Sequence, residues 1–181
     1  MPITIKTKKD IENMRIAGQK AAAVLNMLDK YVVPGITTEE LDKIAFDYIT
    51  RDLKCIPANV GYNGYPKTLC TSLNSVICHG IPSETQTLKD GDILNIDVTV
   101  IENKWHGDTS KMYAVGKIQN FAKRLIDVTQ ECMYQGIKKL RPGEKLGTIG
   151  SDIQKHAENN QYSVVRDYCG HGIGKVYHEE P

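Results

Sequence analysis

The stretch from Ile93 to Thr109 constrains this chain more than any other. Ile93-Leu94-Asn95-Ile96-Asp97-Val98-Thr99-Val100-Ile101 alternates, so a strand here puts Asn95, Asp97 and Thr99 on one face and Ile96, Val98 and Val100 on the other. Glu102-Asn103-Lys104 makes a turn, and Trp105-His106-Gly107-Asp108-Thr109 returns. With Glu102 and Asn103 as the turn residues, Asp97 lies opposite Asp108, and like charges facing each other across a hairpin destabilise it. A shared proton or a cation must offset that repulsion. A longer turn keeps the pair together only with a bulge, which Gly107 could supply. Two solvated aspartates on an edge hairpin fit less well, because Asp is depleted in strands and its β-branched neighbours imply a buried opposite face.

The rest of the chain supplies helices and short β-prone runs around this hairpin. Thr7 with Asp10 forms a capping-box start, followed by Ile11, Met14, Ala21, Leu25 and Leu28 at helical spacing, and Pro34-Gly35 ends the segment. Thr37 and Glu40 cap a second helix with a stripe of Leu41, Ile44, Ala45, Tyr48 and Ile49. Strands are expected over Thr68–Leu73, Val76–His79, Ile93–Ile101 and Trp105–Val115, with a turn at Lys89-Asp90-Gly91-Asp92. Helical spacing returns at Phe121, Leu125, Val128 and Cys132, stops at Pro142-Gly143, and resumes at Leu146, Ile149, Ile153 and Ala157. A last β-prone run covers Tyr162–Tyr168. The order helix, Pro-Gly, helix thus occurs twice at an offset of 108 residues, which points to an internal duplication.

Composition narrows the function. The 181 residues carry 23 Lys+Arg against 22 Asp+Glu, a balance that argues against nucleic acid or an anionic membrane as the main partner. No apolar run is long enough to span a membrane, and Met1-Pro2-Ile3-Thr4-Ile5-Lys6 has no apolar signal core, so a cytoplasmic home is expected. The 5 cysteines (Cys55, Cys70, Cys78, Cys132 and Cys169) form no C-x-x-C pair, which fits reduced thiols.

Two further motifs carry chemistry. Cys169-Gly170-His171-Gly172-Ile173-Gly174-Lys175-Val176-Tyr177-His178 presents an imidazole between glycines that let the backbone pack close. It lacks the Gly-Lys-Ser/Thr ending of a phosphate loop, and His178-Glu179 is cut off by Pro181 before it could open a His-Glu-x-x-His helix. Cys78-His79-Gly80-Ile81-Pro82 is expected at a strand end, where Cys78 and His79 point to opposite faces and cannot act as nucleophile and base. His106 and His156 have no such context and are expected in ordinary surface or core roles. Carboxylates with an imidazole suit Mn, Fe, Co or Zn rather than copper or an iron–sulfur cluster.

Together, Gly170-His171-Gly172-Ile173-Gly174 with His178, Asn95-Ile96-Asp97 with Gly107-Asp108-Thr109, and Cys78-His79-Gly80-Ile81-Pro82 resemble the type I methionine aminopeptidases, over nearly the whole chain. The resemblance implies an α/β (α+β) pita-bread fold: pseudo-symmetric halves with a curved antiparallel sheet and flanking helices, here a single metallopeptidase catalytic domain over residues 1–181. It implies removal of the N-terminal methionine from nascent proteins, preferring a small second residue, by hydrolysis with a metal-bridging hydroxide. Asp97, Asp108 and His171 are the implied ligands of two divalent ions (Co, Mn, Fe or Zn), with Asp108 bridging. His79 and His178 are the implied catalytic and substrate contacts, one near the attacked peptide nitrogen and one near the scissile carbonyl. Tyr62, Tyr65, Cys70 and Tyr177 fall on the methionine side-chain pocket; Tyr177 stands where many members carry Phe, and Asn59 where some carry Cys. The implied partners are N-termini of nascent peptides, with the ribosome met transiently, no direct nucleic-acid or membrane site, and a monomeric intact enzyme.

Two other readings compete. Prolidase and aminopeptidase P relatives usually carry a large extra N-terminal domain, whereas only about ten residues precede the first helix here. A metal-free pita-bread binding module loses its ligands, whereas Asp97, Asp108 and His171 are all present. At the 108-residue offset the counterpart of the Asp97 strand belongs beyond Pro181, where the resemblance also puts two glutamate ligands and part of the methionine pocket. The expectation is a second half lacking its C-terminal portion, and a 181-residue chain inactive alone.

Overall fold

The structure, a computed structural model, describes residues 3–181. Within the single domain expected over 1–181, contacts gather into two compact units. One holds the described residues up to Ile118 together with His171–Pro181, and the other holds Gln119–Gly170.

The first unit is built from helices α1 (Lys8–Leu28) and α2 (Thr38–Asp47) and strands β1 (Ile56–Pro57), β2 (Leu69–Leu73), β3 (Ile93–Glu102) and β4 (Trp105–Ala114). Both capping boxes form as expected: Thr7 Oγ1 accepts from the Asp10 N–H while the Asp10 carboxylate accepts from the Thr7 N–H, and Thr37 and Glu40 do the same. All strand pairings are antiparallel. β3 is central, with β4 along one edge and β2 and β1 following one another along the other. The expected alternation holds, since Ile96, Val98 and Val100 are fully buried and form the core with Val24, Leu28, Leu41, Ile49 and Leu69.

Helix α1 packs on that apolar face so closely that a Cβ on Gly107 would lie 2.2 Å from the Ala17 carbonyl oxygen. Gly107 therefore serves helix–sheet approach, and it supplies no bulge: β3 and β4 pair without a break from Ile93↔Ala114 to Glu102↔Trp105. The turn is Asn103-Lys104, both at positive φ (48° and 72°), one residue later than expected. Asp97 consequently pairs with Ser110, and Asp108 with Thr99.

Two expected strands do not form. After β2, Asn74 turns the chain at φ 51°, its side chain accepting from the Ile93 N–H and donating to Asp92, so Val76–His79 is a loop. Among the described residues no strand pairs with residues 162–168, and these run as irregular chain.

Asp42 on α2 ties helix to sheet. Its buried Oδ1 accepts from the Thr68 and Leu69 N–H groups at 2.9 and 2.8 Å, while burial pushes its carboxyl above the ordinary range. Asp42→Ala leaves both donors without an acceptor and is expected to cost about 3 kcal/mol in urea unfolding with an unchanged m-value. Asp42→Asn keeps the accepting oxygen and sheds a poorly solvated charge, so its cost stays within about 1 kcal/mol.

The second unit is a helix pair, α3 (Asn120–Lys139) and α4 (Leu146–Asn159), around Val128, Cys132 and Ala157 with Ile153, Tyr162 and Val164 against them. Its connection repeats that between α1 and α2: Gly143 and Gly35 both take positive φ (87° and 99°), and α4 begins 108 residues after α2. No helix among the described residues is long and apolar enough to cross a membrane.

Candidate active site

The polar face of β3 is the floor of the site. A two-residue shift in register preserves facing, so Asp97, Asp108 and Thr99 share one side of the hairpin, with Asp97 and Asp108 diagonal rather than directly opposite as expected. Cys70 pairs with Asp97 from β2 and joins the same face. Burial and the neighbouring Asp108 carboxylate push the Asp97 carboxyl well above the usual carboxylate range. Burial raises the Cys70 thiol to about 11, with the two aspartates adding to the effect, so it stays a thiol.

The loop from His171 to His178 lies over this floor. A two-way bridge closes it: Gly172 N–H to Glu179 O at 2.9 Å and Glu179 N–H to Gly172 O at 2.8 Å. A Cβ on Gly172 would come 2.6 Å from the Glu180 carbonyl oxygen, so this position requires glycine. The His106 N–H donates to Gly174 O at 2.9 Å and moors the loop to β4. His171 then places Nε2 3.6 Å from Asp108 Oδ2, while its Nδ1 bonds Gly172 O at 2.9 Å, which leaves the Nε2 lone pair free.

Four rings gather beside His171. Tyr177 stacks on His178 (centroids 4.4 Å apart, planes 17°) and on His106 (5.4 Å, 21°), and Tyr62 leans against Tyr177 at 4.8 Å. Tyr62 Oη lies 2.8 Å from His178 Nδ1. Burial, then His171, holds the His178 imidazole below its ordinary value. Tyr177 donates to Asn59 Oδ1 at 2.6 Å and lies 2.6 Å from Thr99 Oγ1, and burial pushes its hydroxyl far up. Tyr65 donates to Leu69 O at 2.8 Å, with Gly80 O at 3.2 Å.

The structure thus brings Asp97, Asp108 and His171 together, with Cys70, Tyr62, Tyr177 and His178 around them. His79 sits on the exposed loop after β2 in a left-handed conformation (φ 56°), not at a strand end, so its supposed opposition to Cys78 does not apply. Gly80 presses this loop onto β2, where Thr71 N–H donates to Gly80 O at 2.7 Å. His106, expected in an ordinary role, belongs to the ring cluster; its place two residues before Asp108 on one strand face was the available signal. Thr99 and Asn59 also join the site, through the Tyr177 hydroxyl.

A divalent cation fits this donor set. Two close carboxylates share a face, and an imidazole offers a free nitrogen beside one of them. Among the described residues no three such side chains already stand at ligating spacing.

The profile described as Metallopeptidase family M24 matches residues 12–181. The chain belongs to metallopeptidase family M24. A methionine aminopeptidase of Salmonella typhimurium is 58% identical over 181 residues, all of this chain and 69% of the relative. The crystal structure of methionine aminopeptidase from Rickettsia prowazekii superposes with a TM-score of 0.97 at 52% identity, covering 99% of this chain and 72% of that one. An X-Pro aminopeptidase from Thermotoga maritima, at 18% identity and a TM-score of 0.80, shares the fold alone. The α/β pita-bread arrangement implied by the motifs is the fold of this M24 chain, and the expected class, a metallo-aminopeptidase hydrolase, is borne out.

Proposed function

We propose that the whole protein, acting through this M24 chain, hydrolyses the first peptide bond of peptides that begin with methionine, preferring a small second residue. The observation that carries the reading is the convergence of Asp97, Asp108 and His171 on one strand face, walled by Cys70, Tyr62, Tyr177 and His178.

Asp97, Asp108 and His171 would hold two divalent ions, of Co, Mn, Fe or Zn. Bound there, such ions supply Lewis acidity, lowering the pKa of water and polarising a carbonyl. The chain's own residues do the rest. The Nδ1 bond to Gly172 O fixes the His171 ring with Nε2 toward the carboxylates. With Tyr62 as donor to His178 Nδ1, the hydrogen of the neutral imidazole sits on Nε2, ready to donate to the carbonyl oxygen as negative charge develops there. His79, on its loop, orients the peptide nitrogen and assists the leaving amine. Tyr62, Tyr65, Cys70 and Tyr177 receive the methionine side chain, and a polarizable thioether suits aromatic faces and a neutral thiol. The substrates are N-termini of nascent chains in the cytoplasm, reached in passing at the ribosome by a monomer.

The test is turnover of Met-Ala-Ser, Met-Pro-Ser and Leu-Ala-Ser by the whole protein supplied with Mn or Co. Methionyl peptides should exceed the leucyl one about tenfold or more in kcat/KM. Equal cleavage of Leu and Met would overturn the pocket assignment.

A further inference from the structure

The segment that leads into α1 reaches across to the loop that carries His178. Thr7 is the N-cap of α1, and its capping box with Asp10 fixes the chain at that point. Lys6, one residue before the cap, pairs through Nζ with Glu179 Oε2, 173 residues away in the sequence. The two side chains are only 17% and 15% exposed, so the pair is largely enclosed and shielded from the solvent that weakens surface ion pairs. Glu179 is also held from within its own loop. Its N–H donates to Gly172 O at 2.8 Å, and its Oε1 accepts from the Val176 N–H at 3.4 Å. The carboxylate and the ammonium both lie against Gly174, where a Cβ would stand 2.9 Å from the Glu179 carboxyl carbon and 2.9 Å from Lys6 Nζ. The last glycine of the Gly170–Gly174 motif therefore makes room for this pair, while its carbonyl moors the loop to His106.

We infer that Lys6 is a positioning residue for the reaction: by holding Glu179 it fixes His178, the residue before it, where the ring donates to the carbonyl oxygen. The inference rests on the proposed function and deepens it. Without the ammonium, an enclosed carboxylate stands beside Gly174 with no counter-charge, and it turns out toward water. That turn moves the backbone to which His178 is joined by a single peptide unit. A displacement of about 1 Å at a catalytic group costs up to about 100-fold in rate. Donation by His178 matters only as charge develops on the oxygen, so the loss falls on kcat and spares KM.

The experiment measures kcat and KM for Met-Ala-Ser in the whole protein, in Lys6→Met and in Lys6→Arg, and repeats Lys6→Met on a His178→Ala background. Lys6→Met should lower kcat about tenfold or more with KM within about twofold. Lys6→Arg keeps the charge and should stay within about threefold of the unmodified protein. On the His178→Ala background, Lys6→Met should change kcat by less than about twofold, because the group it positions is already gone. A second readout needs no turnover: the His178 ring signals in the NMR spectrum of the metal-free protein, identified by their loss in His178→Ala, should move in Lys6→Met and hold in Lys6→Arg. An equal loss of kcat on both backgrounds overturns the inference, since Lys6 would then serve the fold in general. So does a Lys6→Met protein whose kcat or whose His178 signals match those of the unmodified protein. Failure of the unmodified protein to cleave Met-Ala-Ser would count against the proposed function instead, and the NMR comparison would still decide whether Lys6 places His178.

Discussion

Asp97→Asn is expected to raise the melting temperature of the metal-free protein at pH 8 while weakening divalent metal binding at least about 100-fold. The two effects share a cause. Burial and the Asp108 charge raise the Asp97 carboxyl in the fold, so the folded protein holds a proton that the unfolded chain has already released. Between the ordinary carboxylate range and that raised value, the metal-free protein binds more protons folded than unfolded, and stability falls as pH rises. Asn cannot ionise and removes this slope. A bound cation reverses it, because the carboxylate is then favoured in the fold and stability is gained as pH rises. Relief of about 2 kcal/mol corresponds to roughly 5 °C in a chain of this size. Thermal unfolding at pH 5 and pH 8, after chelation and after Mn addition, reads all of this, with Asp97→Asn minus unmodified protein isolating the one group. If the metal-free and metal-loaded proteins melt together, the carboxylate pair is not a metal site.

What could be read from the sequence follows from how local each signal is. Both capping boxes formed because Thr7 with Asp10, and Thr37 with Glu40, decide the matter within one helical turn. The shared face of Asp97 and Asp108 was legible for a different reason: moving the turn from Glu102-Asn103 to Asn103-Lys104 shifts the pairing by two residues, which changes partners without changing faces. Their diagonal placement, in place of the expected direct opposition, was not legible, because Asn103-Lys104 takes a left-handed turn without the glycine that would have advertised it. The His79 loop was misread as a strand end because Asn74 ends β2 through bonds to Asp92 and Ile93 that lie 18 and 19 residues away. Composition likewise says nothing of Gly107: its need for glycine comes from a helix ninety positions earlier in the chain.

That need makes Gly107→Ala the substitution with the largest expected cost, about 3 kcal/mol or more of folding stability. The added Cβ would lie 2.2 Å from the Ala17 oxygen, 2.3 Å from its carbonyl carbon and 2.6 Å from the Gly18 nitrogen. All three are backbone atoms in the interior of α1, so no side-chain rotation relieves the clash. The helix must lift, and Ala21, Val24 and Leu28, all fully buried, lose contact with the core they share with Ile96, Val98 and Val100. Because Asp108 follows Gly107 directly on β4, the displaced strand also carries a ligand out of place, and metal affinity should fall with stability. Gly18→Ala is the matched control. Its Cβ meets nothing within 4 Å, and alanine in a helix interior is favoured over glycine, so it should stabilise by about 0.5–1 kcal/mol. One methyl group, placed on either side of the same contact, should thus move urea midpoints in opposite directions. Equal midpoints for the two variants would mean that α1 does not rest on β4 at the distance that makes Gly107 necessary.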